Sequence, residues 1–424
     1  MTTTEQSYAT PPQLAESLKK YQLIAGFVGL VGLVGLVAGY FMAGPAQFLR
    51  SYLVGMFFWF GMSMGCLVFL MIHFVAGGAW GVMIRRPLEA GTRLIWVMWL
   101  CFLPLLIFAP KLYFWADPAH ATDKIVQLKH LYLNVPFLWI RWLIYGVVWI
   151  GLATLLNRWS RLEDETKSWK YSSALEKLSG PGIVAYFFTM TFCSVDYLMS
   201  LDVTWASTIY GFLVAAGQGL SAMALMVAVL VLLGKYAPMD HAITARHLHD
   251  LGKLLLALVM MWAYLSFSQY LIIYSGNLPQ EISWYVRRLN GGWQWVGLTL
   301  LLLHFALPFA LLLSQTLKKN PKTISSIAIF IICIRVVDVF WLVEPNFVSV
   351  DHPVFTVSIL DFLAPIGFGG LWLAMFFGTL PTRPLLPLGE PNLQKALNHG
   401  RNHYESARRP GSRSWARGES GRLA

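Results

Sequence analysis

The sequence predicts an all-α polytopic membrane protein of ten transmembrane helices, and three observations carry that expectation. Hydrophobic residues make up 57% of the 424-residue chain and charged residues only 12%, with a mean hydropathy of +0.57, a balance foreign to soluble domains. The apolar residues fall in ten runs, each near or above the ~20 residues a crossing helix needs. Between the runs lie short polar stretches in which the basic residues collect.

In chain order, residues 1–21 are polar and lack the apolar core and cleavage site of a signal peptide, so they are expected to stay as an N-terminal segment. The runs then span 22–44, 52–80, 93–115, 135–157, 180–200, 205–233, 251–275, 293–316, 322–344 and 355–380, a membrane domain over 22–380. Gly26, Gly29, Gly32, Gly35 and Gly39 give the first run a flat face for close helix contact, and Gly61 with Gly65 repeats it in the second. Helices 2–5 (about 52–200) and 6–9 (about 205–344) are expected to form two four-helix bundles, with helices 1 and 10 peripheral. Residues 381–424 form a basic tail, Gly-, Ser- and Arg-rich from Arg401 to Arg422, suited to water, lipid headgroups or partner subunits.

The net charge of +11 sits at run ends and in the tail, which speaks for orientation and against nucleic acid. With ten crossings, 24 of the 32 Lys and Arg fall on the side of the termini and 6 on the other, while Arg141 and Arg335 lie within runs. That bias makes both termini cytoplasmic. Cys66, Cys101, Cys193 and Cys333 lie singly in apolar runs, without a spacing for zinc or an iron-sulfur cluster, so no metal site is expected.

Ionisable residues inside the runs are the functional candidates, because charge in hydrocarbon is costly. Asp196 and Asp202 mark the junction of the fifth and sixth runs, and Tyr186, Thr189, Cys193, Asp196 and Ser200 form one polar stripe at helical spacing. Arg141 lies at a similar depth and is expected to pair with Asp196; Arg335 and Asp338, three apart, share a face. His73, His304, Asp361 and the linking Gln269 complete the proton-relay candidates, with hydrogen-bonded packing the plain alternative for each histidine. Only those two histidines lie deep, in different bundles, which argues against haem ligation. The acids recur six apart, Asp196 with Asp202 and Asp338 with Glu344, as an internal repeat of the two bundles would have it.

The junction Ser194–Gly211, SVDYLMSLDVTWASTIYG, and the stretch Ala263–Tyr285, AYLSFSQYLIIYSGNLPQEISWY, resemble the NrfD-like, polysulfide-reductase membrane-subunit family. Over nearly the whole chain apart from its tails, the resemblance is to the second quinone-type membrane subunit of alternative complex III, a bacterial quinol:electron acceptor oxidoreductase. It implies the two-bundle fold and a place in the cytoplasmic membrane. It implies no covalently bound cofactor in this chain, and partners comprising a homologous membrane subunit, an iron-sulfur protein and multihaem cytochrome c subunits. The resemblance leaves open whether this subunit binds a quinone, menaquinone or ubiquinone, or only conducts protons. An ion-coupled transporter is the other class that buried charge suits; it calls for helices broken at matching depths, and Pro104 and Pro308 do not correspond in the repeat.

Overall fold

A computed structural model describes residues 8–351 and 353–399. The expected basic tail from Arg401 to Arg422 and the first seven residues lie outside the described residues. The long elements are α1 (Pro12–Ala76), α2 (Ala79–Thr92), α3 (Val135–Thr166), α4 (Trp169–Tyr197), α5 (Tyr210–Leu233), α6 (Ala245–Gly276), α7 (Pro279–Leu289), α8 (Trp293–Leu313), α9 (Pro321–Val343) and α10 (Leu360–Thr379). No strand occurs among the described residues. Helices satisfy every backbone group within one segment, which lipid-facing chain requires.

Nine helices among the described residues are long and apolar enough to cross a membrane, and the first is a hairpin. At 65 residues, α1 would extend about 97 Å if straight, three times the apolar thickness of a bilayer. Gly44 interrupts it at φ 85° and ψ 166°, just before Pro45, in a conformation that costs glycine little. A Cβ on Gly29, Gly32 or Gly39 would strike Gly370, Gly367 or Leu360 respectively, whereas Gly55 abuts Ala364 and Trp59 abuts Gly369. Contacts of the limb 12–43 therefore descend α10 while those of the limb 45–76 ascend it, and the limbs run antiparallel. The ten expected runs correspond to nine continuous helices in this way.

The flat glycine face of the first run is what seats it on α10, close enough that backbone meets backbone. In the second limb, Gly65 lies against the Gln218 carbonyl and Ala222 of α5. That contact joins a helix assigned to the expected first bundle to one assigned to the expected second. α5 is enclosed by α1, α4, α6 and α9 and is the most buried of the spanning helices.

Two expectations need correction. The helix that carries the first run starts at Pro12, ten residues ahead of the apolar run itself. The third was expected at 93–115, but the spanning length runs from Ala79 to Ile107, broken after Thr92 into the short helices Ile95–Leu100 and Leu103–Ile107, with Ala109–Leu112 beyond it. Pro104 and Pro110, which lack an N–H for the helix ladder, account for the two later breaks. The charges taken for a loop after the second run are helical and inside: Arg85, Arg86 and Glu89 are buried in α2, because they neutralise one another.

Candidate functional site

Asp196, fully buried on α4, has its partners on α3. Arg141 Nε donates to both carboxylate oxygens at 3.1 and 2.9 Å, and Tyr145 Oη donates to Oδ2 at 2.7 Å. Arg141 and Tyr145 are four apart and so share one face of α3. That helix starts with Asn134, whose side chain accepts from Phe137 N at 2.8 Å in an N-cap. The guanidinium also donates to the Tyr132 carbonyl at 2.9 Å and lies 4.0 Å over the Tyr132 ring. Beside this pair a cavity of about 350 Å³ is lined by Tyr132, Met199, Ser200, Asp202 and Trp205. Asp202 accepts from Arg287 Nη2 at 2.6 Å. The structure thus brings Arg141 and Asp196 together and gives Asp202 a separate cation from α7.

The second half repeats the carboxylate with different supports. Asp338 pairs with Arg335 one turn earlier on α9 and accepts from Trp262 Nε1 of α6 at 3.1 Å. The Arg335 guanidinium fills the space where Gly217 of α5 lacks a side chain. His304 stands edge-on to Trp262, ring centroids 4.0 Å apart, and neither ring nitrogen has a hydrogen-bond partner. It sits in a π-helical stretch, Leu300–Ala306, a distortion common at functional sites.

Between α6, α7, α8 and α9 lies a cavity of about 800 Å³. Asp338 and Trp262 form part of its wall, with Trp284, Tyr285, Phe305 and Trp341 among its aromatic surfaces. Its lining includes Tyr264 and Phe267 of α6, which are 69% and 62% exposed. Gln269, also in its wall, donates to Tyr285 Oη at 3.3 Å and accepts from Ser207 at 3.1 Å. A polar thread joins the halves: Tyr186 Oη donates to Gln218 at 2.8 Å, and a void of about 10 Å³ is lined by Gln218, Ser221 and Arg335. Such a void is the scale of one water molecule.

His73 is placed elsewhere, in a charge cluster on the side where Leu385 N donates to the Tyr8 carbonyl and the described chain ends meet. Its Nε2 is 3.5 Å from Glu390 Oε2. Glu390 accepts from Arg85 Nη1 at 2.5 Å, and Arg85 also meets Glu89 and Glu163 at 3.1 and 2.5 Å. Arg86 pairs with Glu89 and Asp164, and Arg383 reaches Glu89 at 3.0 Å. Burial pushes the Glu390 carboxyl up, but His73 and the Arg85 guanidinium outweigh it and hold it down to about 2. Sequence reasoning missed this cluster. Its signal was present, since Arg85, Arg86 and Glu89 have the three- and four-residue spacing at which opposite charges pair on a helix.

Asp361 begins α10 and accepts from Ser51 Oγ at 2.5 Å, Gln47 Nε2 at 3.3 Å and Ser358 N at 2.8 Å. The relay candidates therefore form separate groups: His73 with Glu390, Asp196 with Arg141, Asp202 with Arg287, Gln269 with Ser207 and Tyr285, Asp338 with Arg335 and His304, and Asp361 near the Gly44 turn. No three His, Cys, Asp or Glu side chains come together as a metal site among the described residues. The chain matches no protein-family model and no curated protein. The NrfD-like resemblance rests on the two quoted stretches.

Proposed function

We propose that this chain is a membrane subunit of an NrfD-like quinol:electron acceptor oxidoreductase, in a bacterial cytoplasmic membrane with both termini cytoplasmic. Its work is to take up and pass on protons as quinol is oxidised. Electrons leave through iron-sulfur and haem c centres on partner subunits, which include a homologous membrane subunit. One observation carries the reading: the aromatic-walled cavity of about 800 Å³ has a buried carboxylate, Asp338, in its wall.

Quinol oxidation gives up two protons with two electrons, so it needs an apolar slot for the ring and a proton acceptor beside it. The cavity has the volume and the few convergent polar groups typical of a small-molecule site. Asp338 would accept a proton from a ring hydroxyl, with Arg335 and Trp262 Nε1 holding the carboxylate in place. Gln269 and Tyr285 offer hydrogen bonds at another part of the wall. Labelling of the purified complex with a photoreactive quinone should mark peptides of α6 and α9. Asp338→Asn should lower the proton-to-electron ratio in liposomes while assembly persists; labelling confined to other subunits together with an unchanged ratio would refute the reading.

A second reading, an ion-coupled transporter, draws support from the charges Arg141, Asp196, Arg335 and Asp338 buried in spanning helices. Purification separates the two. The first expects co-purification with haem c and iron-sulfur proteins, the second a chain that binds a soluble solute alone.

A further inference from the structure

Far from the chain ends, by the Gly44 turn, α1, α10 and the turn Glu344–Phe347 after α9 bring Gln47, Arg50, Ser51, Glu344 and Asp361 into one cluster. Gln47 hydrogen-bonds to Asp361 and reaches Glu344 as well, the Asp361 carboxylate acts on Glu344, and Arg50 is the cation that acts on both. Glu344 is 4% exposed and its Oε1 has no hydrogen-bond partner. Arg50 lies 4.0 Å over the Phe347 ring, with Nε unpartnered. The nearby cations of α7 are engaged elsewhere, Arg287 with Asp202 and Arg288 with the carbonyls of Trp341 and Leu342.

Two carboxylates facing one guanidinium leave a surplus negative charge in a site shielded from water, and an uncompensated buried charge is among the costliest arrangements a fold can hold. Like-charged neighbours resolve it by binding a proton. The side that binds it follows from the hydrogen bonds. Asp361 accepts from Ser51 Oγ and Ser358 N as well as Gln47 and is held as the anion, whereas Glu344 shares only the Gln47 amide and its Oε1 has no partner.

We propose that Glu344 and Asp361 hold one proton between them, resident on Glu344, and that this pair is a proton-release site on the face opposite the chain ends. Release transfers the Glu344 proton to water and leaves the anion beside Arg50; reloading draws a proton from inside the protein. Use of the site for release rests on the proton-moving function above, but the resident proton does not.

Infrared spectra of the intact complex in lipid, taken at neutral pH without quinol, test the resident proton. The carbonyl band of a buried protonated carboxyl should be present and should be lost in Glu344→Gln. It should also be lost in Asp361→Asn, because Arg50 then neutralises Glu344, and retained in Arg50→Leu. A band unchanged by Glu344→Gln, or one surviving Asp361→Asn, would overturn the proposal, and the second variant decides the matter if the first fails to assemble. Failure of the quinol reading would leave these spectra as they are.

Discussion

Arg141 Nε meets both oxygens of Asp196 from a neighbouring helix, 55 positions away along the chain. Neither partner has an escape to water, since their side chains are 6% and 0% exposed. Breaking such a pair from one side strands a buried charge, at a cost of about 3–5 kcal/mol, whereas removing both partners is far milder. Arg141→Leu should therefore lower the melting temperature in nanodiscs sharply. Adding Asp196→Leu should restore most of the loss, and additive single-variant effects would show that the two side chains do not depend on each other.

The glycine contacts predict a graded series. A Cβ on Gly29 would lie 2.6 Å from Leu371 N and one on Gly32 2.7 Å from the Gly367 backbone, whereas one on Gly180 meets nothing within 4 Å. Backbone cannot rotate aside as a side chain can, so overpacking of this kind costs about 1–3 kcal/mol or more. Gly29→Ala and Gly32→Ala should reduce the yield of folded protein and its melting temperature. Gly180→Ala should leave both unchanged; equal behaviour of all three would mean that the first limb is not seated on α10.

Much of this architecture is legible in residue order, and what is not has a physical cause. Hydropathy finds the apolar runs because each must face lipid, and Arg141 with Asp196 is legible because two opposite charges at one depth have few other partners. The Gly44 hairpin is flagged by its Gly-Pro pair. The cluster around Arg85 escapes because hydropathy prices each charge alone, whereas Glu89 compensates the arginines within their own helix and Glu163, Asp164 and Glu390 do so from elements far apart in sequence. The cavity beside Asp338 escapes for a similar reason. Its walls come from four helices, and no local pattern records that they fail to close.

Orientation is testable from the same geometry. The described ends meet at Tyr8 and Leu385, so they lie on one side, and the basic-residue bias leads us to propose that this side is cytoplasmic. Ser275, at the far end of α6, and Lys395 are both exposed. In intact cells a membrane-impermeant thiol reagent should modify Ser275→Cys and spare Lys395→Cys until the membrane is opened. The opposite pattern would invert the topology.

The segment after α10 gives a pH prediction. It is held by buried Leu385, Leu386 and Ala396 and by Glu390, whose carboxyl His73 and Arg85 keep at about 2 against burial. A carboxyl lower in the folded protein than in the free chain stabilises the fold at pH above its free value, about 4.3. That contribution fades as pH falls from there towards 2. Pepsin cleavage within 383–399 should therefore accelerate across that window. Glu390→Gln should remove the acid-dependent part and open the segment at neutral pH, where losing a hydrogen bond to a charged partner, ~1.5–3 kcal/mol, makes trypsin cleavage at Lys395 at least about tenfold faster. Protection independent of both pH and the substitution would mean that apolar packing alone holds the segment down.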